Sequence, residues 1–168
     1  MLRSISNTPT WLLFFMSILP LITIYDNAIV WALCNIVIFT FFSIWLLSIV
    51  NSLLKKNRDL INLNKYKFFG LLFISLLYSI IISIYFCFSY NNYEEPLWIF
   101  LIIIPANVFL AYSYFFILNF IAKLIATVES QKAVTFENYA GYFFCLIFFP
   151  IGIWWLNPKI KSLLNFEV

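Results

Sequence analysis

The sequence predicts an all-α fold, a polytopic membrane helical bundle, and three observations lead there. Hydrophobic residues fill 64% of its 168 positions and charged residues only 10%, against about 45–50% and roughly 25% in a soluble domain. The mean hydropathy is +0.98. The ten Lys and Arg do not spread over a surface but sit at the ends of apolar runs, where they set topology. A water-soluble fold of this size has no way to hide so much apolar surface.

Asn7-Thr8-Pro9-Thr10 reads as a helix start, with a capping side chain beside a proline that the first turn tolerates. It opens a first span over residues 9–25, close to the lower limit of about 17 residues. Arg3 and the apolar run behind it outline a signal peptide, but Tyr25-Asp26-Asn27 does not form a small-x-small cleavage site, so the run is expected to be retained. A second span, 28–52, returns as a tight hairpin. Lys55, Lys56, Arg58, Lys65 and Lys67 then cluster in a loop with Asp59 as their one acid. A third span covers 68–90, and Asn91-Asn92-Tyr93-Glu94-Glu95-Pro96 ends it. The fourth is read over 97–122, with its apolar run continuing to Val128. That length is about 45 Å, more than the roughly 30 Å of hydrocarbon. The end carrying Lys123 should therefore emerge into the cytoplasm, or the helix should tilt, and Pro105 should kink it. A last apolar segment, 139–156, is interrupted by Pro150 and Gly152 and stopped by Asn157-Pro158; a short interfacial tail, 159–168, follows. Everything belongs to one domain, 1–168.

Charge gives the orientation. With the N-terminus inside, eight bases (Arg3, Lys55, Lys56, Arg58, Lys65, Lys67, Lys123 and Lys132) face the cytoplasm, and the outer loops hold Asp26, Glu94, Glu95 and no base. A full fifth span would put Lys159 and Lys161 outside, against this rule. The expectation is four spans plus a re-entrant or interfacial C-terminal segment, with a fifth short span as the rival.

Little chemistry is available. There is no His, hence neither the commonest general base nor the commonest metal ligand. No Asp, Glu, Lys or Arg lies between Asp26 and Lys55, between Lys67 and Glu94, or between Glu95 and Lys123, where an ion-coupled carrier or intramembrane protease would carry them. Cys34, Cys87 and Cys145 are isolated, without the paired spacing of zinc or redox motifs. The chain reads as no enzyme, with no cofactor and no metal, and its bases form no stripe for direct nucleic-acid binding.

The remaining polar groups are amides, hydroxyls and phenols. Asn107, Tyr112, Asn119 and Lys123 lie on the fourth helix, where Tyr112, Asn119, Lys123 and Ala126 recur at spacings that share one face. That face reads as a helix–helix contact or, alternatively, as the wall of a wet pore. Trp98, Trp154 and Trp155 sit where an aromatic belt would place them. The basic loop, Lys55 to Lys67, offers a cytoplasmic docking surface.

The stretch Phe149-Pro150-Ile151-Gly152-Ile153-Trp154-Trp155-Leu156-Asn157-Pro158-Lys159-Ile160, with Phe136-Glu137-Asn138-Tyr139-Ala140-Gly141 before it, resembles the ending of many small bacterial inner-membrane proteins, whose usual form is FPIGIWxxQPRIN. Asn157 stands for the usual Gln and Lys159 for the usual Arg. The resemblance covers roughly the last quarter of the chain. In size and layout the chain is also similar to the membrane subunit of the Kiwa anti-phage system. That likeness implies a homo-oligomer, a tetramer among the forms open, working with a cytoplasmic DNA-binding effector. The expected function is a non-enzymatic sensor or scaffold in the lipid bilayer. The alternatives are a small oligomeric ion channel or pore and a simple anchor for another protein.

Overall fold

The computed structural model describes residues 8–22, 28–56, 64–89 and 97–165. These form six helices and, among the described residues, no strand: α1 (Thr10–Ile22), α2 (Ala28–Lys56), α3 (Lys65–Ser89), α4 (Leu97–Ser130), α5 (Phe136–Ile147) and α6 (Phe149–Asn165). Three are long and apolar enough to cross a membrane, over Ile29–Lys55, Lys65–Ser89 and Leu101–Ser130.

The expected four spans are thus three among the described residues. The span read over 9–25 contains α1, whose 13 residues reach about 20 Å, short of the hydrocarbon thickness; residues 23–25 lie outside the described residues. The C-terminal segment is not a fifth span either. It divides into two short helices that double back; residues 159–165 of the expected interfacial tail are the last part of α6, and 166–168 lie outside the described residues. Mean hydropathy over a segment does not separate a membrane-crossing helix from a short one with one face buried against other helices, because both are rich in apolar residues.

Local sequence explains the ends. Asn64 caps α3, its Oδ1 accepting from Lys67 N at 3.1 Å while its backbone carbonyl accepts from Phe68 N at 3.2 Å. Leu12 N donates to Pro9 O at 3.1 Å, where α1 begins. Gln131 ends α4 in the left-handed region, φ 53°, and its Nε2 donates to Val128 O at 2.7 Å, meeting one of the helix's orphan carbonyls. Helix α4 runs unbroken through Pro105.

The reversal between α5 and α6 falls at Phe148 (φ −90°, ψ 49°), two residues before Pro150. Phe148 N donates back to Phe144 O at 2.9 Å, and its own carbonyl accepts from Ile151 N and Gly152 N at 3.0 and 2.8 Å. Pro150 therefore sits in the first turn of α6, where its missing N–H is not needed. The break precedes the proline instead of coinciding with it.

Helices α2, α3 and α4 pack in chain order, with α2 also touching α4. Helix α1 lies against α2 and α6, α5 against α4 and α6, and α6 against α1, α2, α4 and α5. The short helices form a layer over one half of the long ones. Trp45, Ile49, Val50 and Leu53 of α2, Phe68 of α3, and Ile121, Leu124 and Ile125 of α4 are buried there, with Leu13, Leu146, Ile153, Leu156 and Ile160 from the short helices. Phe68 and Phe120 stack at 4.6 Å, and Phe149 packs edge-on to Phe42 and Trp45 at 5.0 and 5.6 Å. The other half is bare: Leu101, Ile104 and Val108 of α4 are 76%, 60% and 66% exposed.

Gly152 is what lets α6 lie against α5. A Cβ added there would stand 2.0 Å from the Cys145 carbonyl oxygen, a backbone atom that cannot step aside, whereas one added at Gly141 meets nothing within 4 Å. Gly152→Ala should destabilise the protein by about 1–3 kcal/mol through overpacking. Gly141→Ala should be neutral or stabilising by up to about 1 kcal/mol. Thermal unfolding of both variants in detergent checks this; equal melting temperatures would contradict the close approach.

Candidate functional site

Sequence-predicted residues Pro150, Gly152, Trp154, Trp155, Asn157 and Pro158 are gathered on α6, and the hairpin is held by three contacts, two of which they supply. The first is Glu129, in the last turn of α4. A carboxylate there opposes the helix dipole and needs compensation. Lys159 pairs with its Oε1, and the Tyr142 hydroxyl donates to its Oε2. Burial, and the carboxylate beside it, hold the Tyr142 phenol well above its ordinary pKa, so it keeps its proton and donates. The second contact is Trp155, whose ring stacks on Tyr142 at 5.3 Å and 28°. Trp154 instead meets Phe14 of α1 at 5.8 Å.

The third contact is Asn157, fully buried. Its Nδ2 donates to Thr8 O at 3.1 Å and to Thr10 Oγ1 at 2.9 Å, tying α6 to the start of α1. Among the described residues nothing donates to its Oδ1. Pro158 follows directly, within α6; lacking an N–H, it leaves the Trp154 carbonyl without its helical donor and loosens the helix at this point.

Tyr112, Asn119, Lys123 and Ala126 share a helix face but not an environment, and Asn107 lies off that face. Asn107 and Tyr112 are exposed on the bare half of α4, Asn119 and Lys123 are half-buried, and Ala126 is buried beneath the short helices. Asn107 Nδ2 donates to Ile103 O at 2.9 Å in its own helix. Asn35, Ser75, Ser113 and Thr127 likewise donate within their own helices, so these groups do not bond across helix contacts. Tyr112 is the exception: Lys67 Nζ donates to its hydroxyl at 3.2 Å and lies 4.6 Å from the Phe116 ring centroid.

Of the candidate docking bases, Lys67 is therefore engaged by α4. Lys65 lies over the Tyr66 ring, and Lys55 is exposed at the end of α2. Arg58 and the Lys56 side chain lie outside the described residues.

A cleft of about 290 Å³ opens between α1 and α2 over Phe149, lined by Leu13, Met16, Phe39, Phe41 and Phe42 among others. Its polar side chains, Ser17 and Asn35, already donate to Phe14 O and Trp31 O. The space suits an apolar chain, not an ion. Among the described residues no group of His, Cys, Asp and Glu could hold a metal ion, and the three cysteines are free.

Glu129, Tyr142, Thr8 and Thr10 were not singled out as site residues from sequence. One signal was present: Glu129 is the first acid after the long apolar run of α4, a position that demands a cation.

No protein-family model matches the chain, and neither does any curated protein or solved structure.

A double-mutant cycle over Glu129→Gln and Lys159→Met should give a coupling of about 0.5–1 kcal/mol, modest because both side chains are 36% exposed. Lys159→Arg should retain it. Asn157→Leu, which strips the start of α1 of its donor, should destabilise by about 1–3 kcal/mol and speed hydrogen exchange in α1 first. Uniform exchange across all helices would refute that tie.

Proposed function

We propose that the chain is a non-enzymatic integral membrane subunit of a bacterial inner membrane, with its N-terminus in the cytoplasm. On this reading it is a homo-oligomeric sensor and scaffold of an anti-phage system, coupling envelope disturbance to a cytoplasmic DNA-binding effector. The observation that carries the orientation is the Glu129–Lys159 pair. The hairpin brings Lys159 back to the end of α4 from which the chain departs, close to Lys132, so the C-terminal bases join the others on one side as the distribution of cations requires.

Support for a scaffold comes from the kind of interactions the site offers. It is built of packing, one ion pair and side-chain hydrogen bonds, and among the described residues of the site no nucleophile stands beside a base. The layer of short helices touches α2 and α4 at their cytoplasmic ends on this orientation. A disturbance of the bilayer felt along the long helices would reach the hairpin directly. The defence role is supported by the likeness of Phe149–Ile160 to the inner-membrane ending and by the small multi-span layout. The apolar cleft and the self-satisfied polar groups give a pore less support.

The test combines three measurements. A C-terminal tag should stay inaccessible in intact cells and become labelled on permeabilisation. Proteoliposomes should stay tight to ions and dyes. Removing the gene from a strain that carries it with its neighbours should raise phage plaquing, and the purified protein should retain a DNA-binding neighbour. Leaky vesicles would turn the reading to a channel; unchanged plaquing with no retained partner would reject the defence role.

A further inference from the structure

Away from their basic ends, the three long helices expose apolar side chains almost without exception; the described exceptions are Tyr112 and Asn107. Tyr112 has Lys67. Asn107 spends one N–H on Ile103 O, and among the described residues its carbonyl oxygen accepts nothing. It stands ten residues, about 15 Å, in from the start of α4 at Leu97, close to the middle of a hydrocarbon layer about 30 Å thick. Lipid tails carry no donor, so lipid does not satisfy this amide. The short helices of the same chain cover the other half of the bundle.

We infer that the outer half of α4 is the surface by which one copy of the chain binds a second, with Asn107 bonding to the partner subunit's Asn107 near the bilayer midplane. This rests on the reading of the chain as a homo-oligomeric membrane subunit. A second copy fits because a primary amide is both donor and acceptor, and so complements itself across a symmetric contact. Leu101, Ile104, Val108, Ala111 and Phe115 recur at alternating spacings of three and four beside it and are all exposed, the seam that a second helix fills. Ala111 supplies a small residue where two backbones can approach.

The test uses the full chain with Cys34→Ala, Cys87→Ala and Cys145→Ala as background. In native membranes, Asn107→Cys should form a disulfide-linked dimer under mild oxidation, while Phe73→Cys, exposed on α3, should not. Energy transfer between labelled copies in proteoliposomes should show Asn107→Leu weakening self-association roughly 3- to 20-fold. Cross-linking through Phe73→Cys and not Asn107→Cys, or undiminished association of Asn107→Leu, would overturn this interface while leaving the homo-oligomer in place. A monomer by native mass spectrometry, cross-linked at neither position, would reject both.

Discussion

The close approach of Gly152 to the Cys145 carbonyl is the contact on which the C-terminal third depends. Two helices joined through one non-helical residue diverge unless their backbones can touch near the turn. With a hydrogen at position 152, α6 folds back along α5, and Trp155 meets Tyr142 one turn further on. Lys159 then arrives at Glu129, and Asn157 at the start of α1. None of these contacts is strong alone: a half-exposed ion pair is worth at most about 1 kcal/mol. Their geometry is linked, because each needs α6 at the same angle and depth. The hairpin consequently docks as a unit.

That unit divides the bundle into unlike halves. Where α1, α5 and α6 lie over α2 and α4, Trp45, Ile121 and Leu124 are sealed from any solvent. Beyond their reach, α4 meets its surroundings with Leu101, Ile104 and Val108. In hydrocarbon this bare half loses nothing, since lipid tails are as apolar as leucine and no hydrophobic force drives helices together. The covered half therefore gains its order from shape and hydrogen bonding. The ring contacts around Phe149 and the amide bonds of Asn157 supply both.

Much of the helical architecture was legible from composition and from the bases at the ends of apolar runs. Helices α2, α3 and α4 fall close to where apolar length placed them, and the punctuation at Pro150 and Gly152 announced a reversal. What stayed hidden of the fold has two causes. The 13 residues of α1 are as apolar as a span, and burial against helices leaves the same mark on sequence as burial in lipid; the last segment is less apolar once divided, and its division is a matter of the break at Phe148. The site was legible on one side: the residues of α6 stood out by motif and spacing. Their partners Thr8, Thr10, Glu129 and Tyr142 lie far away in sequence, up to 149 positions for Asn157 and Thr8, and carry no local pattern. Periodicity put Tyr112, Asn119, Lys123 and Ala126 on one face of α4, yet could not report that the layer of short helices ends partway along it.

Most polar groups of the long helices are answered within their own helix, while Trp45 Nε1, Tyr78 OH and Asn119 Oδ1 are buried without a partner among the described residues. Ser75, Ser113, Thr127 and Asn35 return a donor to a carbonyl of their own helix, which removes the penalty of a bare hydroxyl or amide in oil without committing the helix to a neighbour. A bundle built this way is free to present its apolar surface to lipid or to another protein with little difference in energy. An exposed amide with a free carbonyl oxygen breaks that indifference, whereas Asn35 is buried. Asn107 does so on the bare half of α4, away from the hairpin's ties at the opposite end. On the proposed interface one stretch of α4 meets a second copy, and the other end of the same helix holds the hairpin through Glu129. The two stretches belong to one continuous helix, so on the proposed reading a change in packing around the first is passed directly to the second.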